Sequence, residues 1–395
     1  MKGIHETLRR RRNSLRERFS HRRQRSSSQS HETESSWRET GAPKLLLTAN
    51  ALYFDHTLFQ DFREEGYDIA YLPHAAPPKQ YKEQLQRFAD VLEEEDRYAI
   101  VAYGEAASVV LDACMSPMPR LCAVVAYYPT TIPLAGCGFP SSLNYLIHLA
   151  ESQPFSGKLN CYTYHRSDVG FAEHDSASYD RVSAQLAWGR TIACLRKGFE
   201  VTVDLAPFLE NHMKVKFDAK DVDATMETVA DDAYVNYVPV MIGGIGADEL
   251  RRFYSEYFIP RNPPSLDIRL ISRTVGIDHV VDELYLSFKH SQEIPWILPG
   301  VPPTDRFVEI ALVSVVGIRA GKLCHENVYW DQASVLMQIG LLDPKYIPPS
   351  FKPVASSTGK IFQLERLPVI GREGARKVLN PESEKSNGLI TSQGV

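Results

Sequence analysis

The sequence predicts two domains of different class, an α/β domain followed by an α+β domain. Short apolar runs alternate with helix-like segments from Lys44 to about Gly198, the pattern of a parallel sheet. After Gly198 a few helices are followed by long extended runs, the pattern of helices beside an antiparallel sheet. The chain of 395 residues, 44% of them hydrophobic, can fill two cores of ordinary size and still leave tails. The boundaries expected are a disordered basic arm over 1–42, the first domain over 43–199, the second over 200–348, and a C-terminal extension over 349–395.

In the first domain the short apolar run 98–101 reads as a strand that turns into a helix over 108–113, and 143–150 reads as helix-like. Ala102-Tyr103-Gly104-Glu105-Ala106-Ala107, where that strand turns into its helix, has the form of a nucleophile elbow. Such a turn needs small residues two before and two after the nucleophile, and Ala102 and Ala106 are those residues. The position between them is Gly104, which has no side chain to attack with. Glu105 is either a nucleophile in a shifted register or a solvated acid favoured by the helix dipole.

In the second domain 217–229 reads as a helix, 234–238 as a short strand and 248–254 as a helix, and Gly243-Gly244-Ile245-Gly246 reads as a loop. Extended runs follow over 266–275, 279–290 and 307–318, and the last turns at Arg319-Ala320-Gly321-Lys322 into 323–330. A bent antiparallel sheet with helices beside it makes a cone with one open end, a natural pocket.

Charge is unevenly spread. Residues 1–25 hold ten Lys or Arg against Glu6 and Glu17, a net +8, so the remainder carries −13 of the chain's overall −5. The acidic folded part argues against nucleic acid as its ligand. The Arg-rich arm reads as a nuclear address, a mitochondrial presequence or a solvated tail, with the cytoplasm as the default location. No apolar run reaches the roughly 18 residues that span a bilayer, so no membrane partner is expected. Six scattered cysteines show neither CxxC spacing nor a Cys/His cluster, so no metal site is expected and the thiols read as reduced. No GxGxxG or P-loop appears, and no cofactor is expected.

The segment 44–198 resembles the dienelactone hydrolase family of α/β-hydrolases. Lys44–Thr48 resembles the first strand of that core, 59–66 the helix after the oxyanion loop and 66–74 the strand that follows. The clearest match is Val169-Gly170-Phe171-Ala172 followed by Ser178-Tyr179-Asp180 and the helix 182–188. The resemblance implies a catalytic His directly before Gly-Phe-Ala, where this chain has Val169. The acid should lie between nucleophile and His in chain order. Between Asp112 and Asp168 the sole carboxylate is Glu151, beside the helix-like 143–150, so the strand that should carry the acid reads as deleted. His165, Asp168 and His174 lie near the His slot and read as polar loop residues. With Gly104 and Val169 in the triad positions, hydrolase activity reads as lost.

Residues 208–343 resemble the nuclear transport factor 2-like superfamily, in its polyketide-cyclase-like branch. Pro295-Trp296-Ile297-Leu298-Pro299-Gly300, Gly321-Lys322 and Val328-Tyr329-Trp330-Asp331-Gln332 through Gln338-Ile339-Gly340 carry the resemblance. It implies that Asp331, seven residues before Gln338, is a general base for carbon acids. Asp331 also reads as an N-cap. The fusion of the two domains is itself a family pattern with a His after Tyr-Val-Asn, where this chain has Tyr237.

Strand parity places Val280, Asp282, Leu284, Leu286, Phe288 and His290 on one inward face and turns Glu283 and Tyr285 away. Asp282 with His290 reads as an acid–base pair or a satisfied core pair, and Trp296 as a lid or rim or, equally, as packing. The functions left open are three. The first is a carbon-acid enzyme using Asp331 as base and His290 as acid or oxyanion partner, with Asp282, Glu283 and Tyr237 as further candidates, acting on a polyketide- or lactone-like small molecule. The second is a non-catalytic binding or dimer-forming protein, with homo-oligomerisation open. The third is residual ester or lactone hydrolysis through Glu105 or through another water-activating group.

Overall fold

Period-2 burial on both faces builds the first sheet. The computed structural model describes residues 41–390 apart from 76, 134–137, 154–158, 352–353, 356–360, 363 and 365, in two units divided between Val203 and Asp204. The expected arm over 1–42 therefore lies almost wholly outside the described residues, as does Cys137. The other five cysteines are free thiols. Among the described residues no helix is long and apolar enough to cross a membrane.

The first unit is a six-stranded, all-parallel sheet in the order β2-β1-β3-β4-β5-β6, with β1 Lys44–Thr48, β2 Asp68–Tyr71, β3 Tyr98–Tyr103, β4 Leu121–Tyr127, β5 Asn144–Ala150 and β6 Cys161–Tyr164. Alternate residues feed two cores. Leu45, Leu47, Val101 and Val125 join Phe171 and Leu195 on one face. Leu46, Ile100, Val124 and Ile147 join Val110 and Leu111 on the other. Parallel strands covered on both faces lose the polar/apolar alternation that marks a half-exposed strand. That is why 143–150 looked helical and is instead β5, and the strand read as deleted is present with Glu151 directly at its end.

His148 shows how tightly this sheet is closed. Its Nδ1 lies 2.8 Å from the Tyr164 hydroxyl and its Nε2 3.0 Å from Thr191 Oγ1. Burial, followed by the charge of Arg190, pushes its pKa down to about 3. The unfolded imidazole titrates near 6.5, so His148 contributes fully above that value and its contribution is lost as pH falls through 6.5 toward 3. At pH 5 the loss is about 2 kcal/mol, from one proton bound by the unfolded chain alone at about 1.4 kcal/mol per pH unit. Urea unfolding at pH 7 and pH 5 checks this, because His148→Gln should lose markedly less stability over that interval than the parent.

The second unit packs helices against a six-stranded sheet in the order β8-β7-β12-β11-β10-β9. The strands are β7 Val229–Tyr237, β8 Ile242–Ile245, β9 Asp267–Val275, β10 His279–Lys289, β11 Phe307–Arg319 and β12 Lys322–Trp330. All neighbours are antiparallel except β12 with β7. The Gly-rich stretch expected as a loop is the edge strand β8. The helix expected over 217–229 is a π-helical turn Lys214–Asp218 and a short helix Val222–Glu227 capped by Asp221. A final helix, Arg372–Leu379, ties the extension to β11, where Arg376 and Arg372 pair with the buried Glu309.

Candidate functional site

Sheet parity aims a strip of β10, β11 and β12 at the helices. Val280, Asp282, Leu284, Leu286, Phe288 and His290 are all buried, as parity requires. The inward residues Leu312 and Ser314 of β11 and Glu326 and Val328 of β12 continue the strip. The helix Ala206–Met213 runs on into the π-helical turn, which brings Lys216 and Phe217 to the same place. π-Turns inside helices are often found at functional sites because they displace side chains from the regular spiral. The result is a cavity of about 30 Å³, lined by apolar side chains including Leu209, Met213, Ile268 and Trp296, with Lys216, Tyr237, Asp282, Ser314 and Glu326 as its polar members.

The charges in this cavity are paired. Lys216 Nζ donates to Glu326 at 3.2 and 3.3 Å, with both side chains almost fully buried, and Ser314 Oγ donates to Glu326 at 3.2 Å. Arg273 of β9 grips Asp282 with two bonds, Nε to Oδ1 at 2.7 Å and Nη2 to Oδ2 at 2.8 Å, and reaches Glu210 at 3.1 Å. Each Asp282 oxygen has two lone pairs, so the fork leaves acceptor capacity toward the cavity. Burial, then the Glu326 charge, raises the Tyr237 hydroxyl well above its ordinary value, so it stays a protonated donor. His212, on the helix Ala206–Met213, is driven well below its ordinary value by burial and then by Lys216.

Other expected site residues lie elsewhere. Asp331 is an exposed N-cap of the helix Gln332–Ile339, accepting from the N–H of Ala333 at 2.9 Å and of Ser334 at 3.3 Å, and it does not line the cavity. His290 is buried with its Nδ1 3.0 Å from Thr304 Oγ1, and burial lowers its pKa. The expected Asp282–His290 pair does not form. Eight residues of extended strand separate them by roughly 26 Å, and Arg273 and Thr304 are the partners found. Glu283 turns away from the cavity, as expected, and accepts from Ser272 Oγ at 3.1 Å. Trp296 is not a lid: it is 1% exposed, packs on Tyr237 and Phe258, and donates to Asn262.

At the carboxyl ends of the first sheet, Gly104 begins its helix with φ +63, and a Cβ there would lie 3.3 Å from the Asn50 amide. Glu105 is exposed in the first turn, and Val169 is 49% exposed. Glu151 accepts from the N–H of Arg166 at 2.6 Å and lies 3.2 Å from His165 Nδ1, both side chains being solvent-exposed. His174 contacts the buried Asp55 with its backbone N–H and its Nδ1. The hydroxyl of Tyr128 donates to Glu173 at 2.6 Å. Burial raises the Glu173 pKa, and the Tyr128 bond offsets only part of that rise. Among the described residues no group of three or more His, Cys, Asp or Glu side chains could hold a metal ion.

The cap geometry of Asp331 makes a direct prediction. Asn caps nearly as well as Asp, whereas Ala does not cap. Asp331→Asn should be almost silent in a thermal melt and Asp331→Ala should cost about 1 kcal/mol.

Residues 209–326 match the family model described as a SnoaL-like domain. Three solved structures are similar to part of the chain, all at low TM-score. A SnoaL-like polyketide cyclase candidate from Jannaschia sp. CCS1 is 19% identical, with 34% of this chain and 93% of that one covered and a TM-score of 0.29. A ketosteroid isomerase-like protein from Catenulispora acidiphila, solved with trimethylamine, is 14% identical over 36% and 98%, with a TM-score of 0.27. TsrD from Streptomyces laurentii is 16% identical over 35% and 96%, with a TM-score of 0.29. The search of curated proteins found no relative. The chain is thus an N-terminal six-stranded, all-parallel α/β unit followed by an α+β unit, within which residues 209–326 match the SnoaL-like domain model.

Proposed function

We propose that the second unit is a small-molecule enzyme of acid–base type, with Asp282 rather than Asp331 as the base that removes a proton from a carbon acid. The observation that carries this reading is the convergence of Asp282, Tyr237 and the Lys216–Glu326 pair on one otherwise apolar cavity. Arg273 keeps Asp282 oriented. As the α-proton moves to Asp282, negative charge develops on the neighbouring carbonyl oxygen, and the protonated Tyr237 hydroxyl is the donor for it. The Lys216–Glu326 pair holds a fixed dipole at the cavity wall. The match to the SnoaL-like model supports a polyketide-like or lactone-like carbon acid as the substrate class.

The reading fits a cavity that opens. A space of about 30 Å³ holds only a water or two, so a substrate must displace lining side chains, and Met213 is the flexible one. This small size favours a second reading, in which the buried charges are structural and the unit binds no substrate. For the first unit, we infer a hydrolase-derived sheet without its triad, supported by the left-handed Gly104 at the strand-to-helix turn and the exposed Val169. The test for the second unit is proton exchange. Incubation with a small 1,3-diketone or β-keto ester in deuterated water should show exchange at the α-carbon above the buffer rate. Exchange at the buffer rate across a panel of such compounds would favour the structural reading.

A further inference from the structure

Three neighbouring strands bring two imidazoles together over a glycine. His279 at the start of β10 lies opposite Gly317 of β11, which lies opposite His325 of β12. The His325 ring fills the space a side chain at Gly317 would take, since a Cβ there would fall 2.2 Å from its Cε1. The two rings meet through their Nε2 atoms at 3.1 Å, with centroids 4.9 Å apart and planes at 58°. Asp278 lies 2.7 Å from His279 Nδ1, and Tyr234 stacks on the His325 ring. His279 keeps 35% of its side chain exposed, so the pair is reachable from solvent.

The tautomers follow from these contacts. The Asp278 carboxylate accepts from His279 Nδ1–H, which leaves His279 Nε2 as a bare acceptor. The proton between the rings is therefore on His325 Nε2. Replacing that one proton by a metal ion turns both nitrogens into ligands of the same centre. Two imidazoles on a Zn²⁺ at 2.0–2.1 Å stand about 3.3 Å apart at a tetrahedral angle and about 2.9 Å apart at a right angle. The observed 3.1 Å lies between these values. A carboxylate on the far nitrogen of a ligating His is the usual support for such a bond, fixing the ring and raising its basicity.

We propose that His279 and His325 form a two-imidazole site for a divalent transition-metal ion of the Zn²⁺, Ni²⁺ or Cu²⁺ kind, oriented by Asp278. Imidazole nitrogen is the donor these ions favour. Binding moves the His325 proton from Nε2 to Nδ1, beside Cys324 Sγ at 3.7 Å, so the ligand ring stays neutral, and water fills the remaining coordination positions on the exposed side. The ion clips β10 to β12 across β11.

The experiment is calorimetric titration of the chelator-stripped full-length chain with Zn²⁺, in two buffers of different ionisation heat. The expected result is one saturable ion whose stoichiometry is the same in both buffers. His279→Gln and His325→Gln should each abolish that event, and Asp278→Asn should weaken it about 10–100-fold. His165→Gln, at an exposed histidine of the first unit, should leave it unchanged. His279→Gln decides the matter if His325→Gln fails to fold, because the His279 ring is partly exposed. No saturable Zn²⁺, or a saturable event that persists in His279→Gln, would overturn the proposal and leave a simple hydrogen bond between two histidines.

Discussion

Lys216→Met should destabilise the second unit by about 3–5 kcal/mol, the usual cost of leaving one member of a buried ion pair uncompensated. Lys216 and Glu326 are 1% and 4% exposed, so water cannot take over the lost partner. Among the described residues the Ser314 hydroxyl is the one other side-chain hydrogen-bond partner of Glu326, and it carries no charge. Replacing both ends, as Lys216→Met with Glu326→Leu, should recover most of the loss, because two apolar side chains cost nothing to desolvate. Chemical denaturation of the parent, the single variant and the double variant checks this. A single variant within about 1 kcal/mol of the parent would mean that solvent reaches the pair.

Asp282→Asn should leave the fold standing and remove the chemistry. The amide keeps the shape of the carboxylate but offers Arg273 one acceptor oxygen in place of two, so a stability loss of about 1–3 kcal/mol is expected. Turnover should fall by roughly 10²–10⁴, the scale of a lost general base. Tyr237→Phe should lower turnover with little change in stability, because in the proposed mechanism that hydroxyl serves the developing oxyanion, while the ring keeps its contacts with Trp296, Phe253 and Phe258. Glu326→Gln should do the reverse, moving stability more than turnover.

The fold was largely legible in the sequence because both its periodicities are local. Parity alone placed Asp282 on the inward face of β10 and turned Glu283 outward. It failed at β5, where burial on both faces erased the alternation, and at β8, where glycines hide a strand that pairs with β7. Asp331 was chosen through a family spacing, and such spacing does not say whether a carboxylate faces the pocket or caps its helix. Lys216 left no readable signal, since it reaches the cavity through a π-helical turn that breaks the 3.6-residue period. Glu326 was within reach: it shares an inward face with Val328, the same parity argument that found Asp282. Arg273 and Asp282 face each other across β9 and β10 through a register that shifts between Glu283 and Leu284, and a sequence does not reveal such a bulge in advance.

The central claim is that Asp282 removes a proton from carbon inside the cavity of the second unit. The most direct measurement is the rate of α-deuteration of a small 1,3-diketone by the parent and by Asp282→Asn, each shown by its melting curve to be folded at the assay temperature. The account predicts exchange above the buffer rate for the parent and a fall of at least about 10² in the variant. Equal exchange rates for the two folded proteins would contradict it.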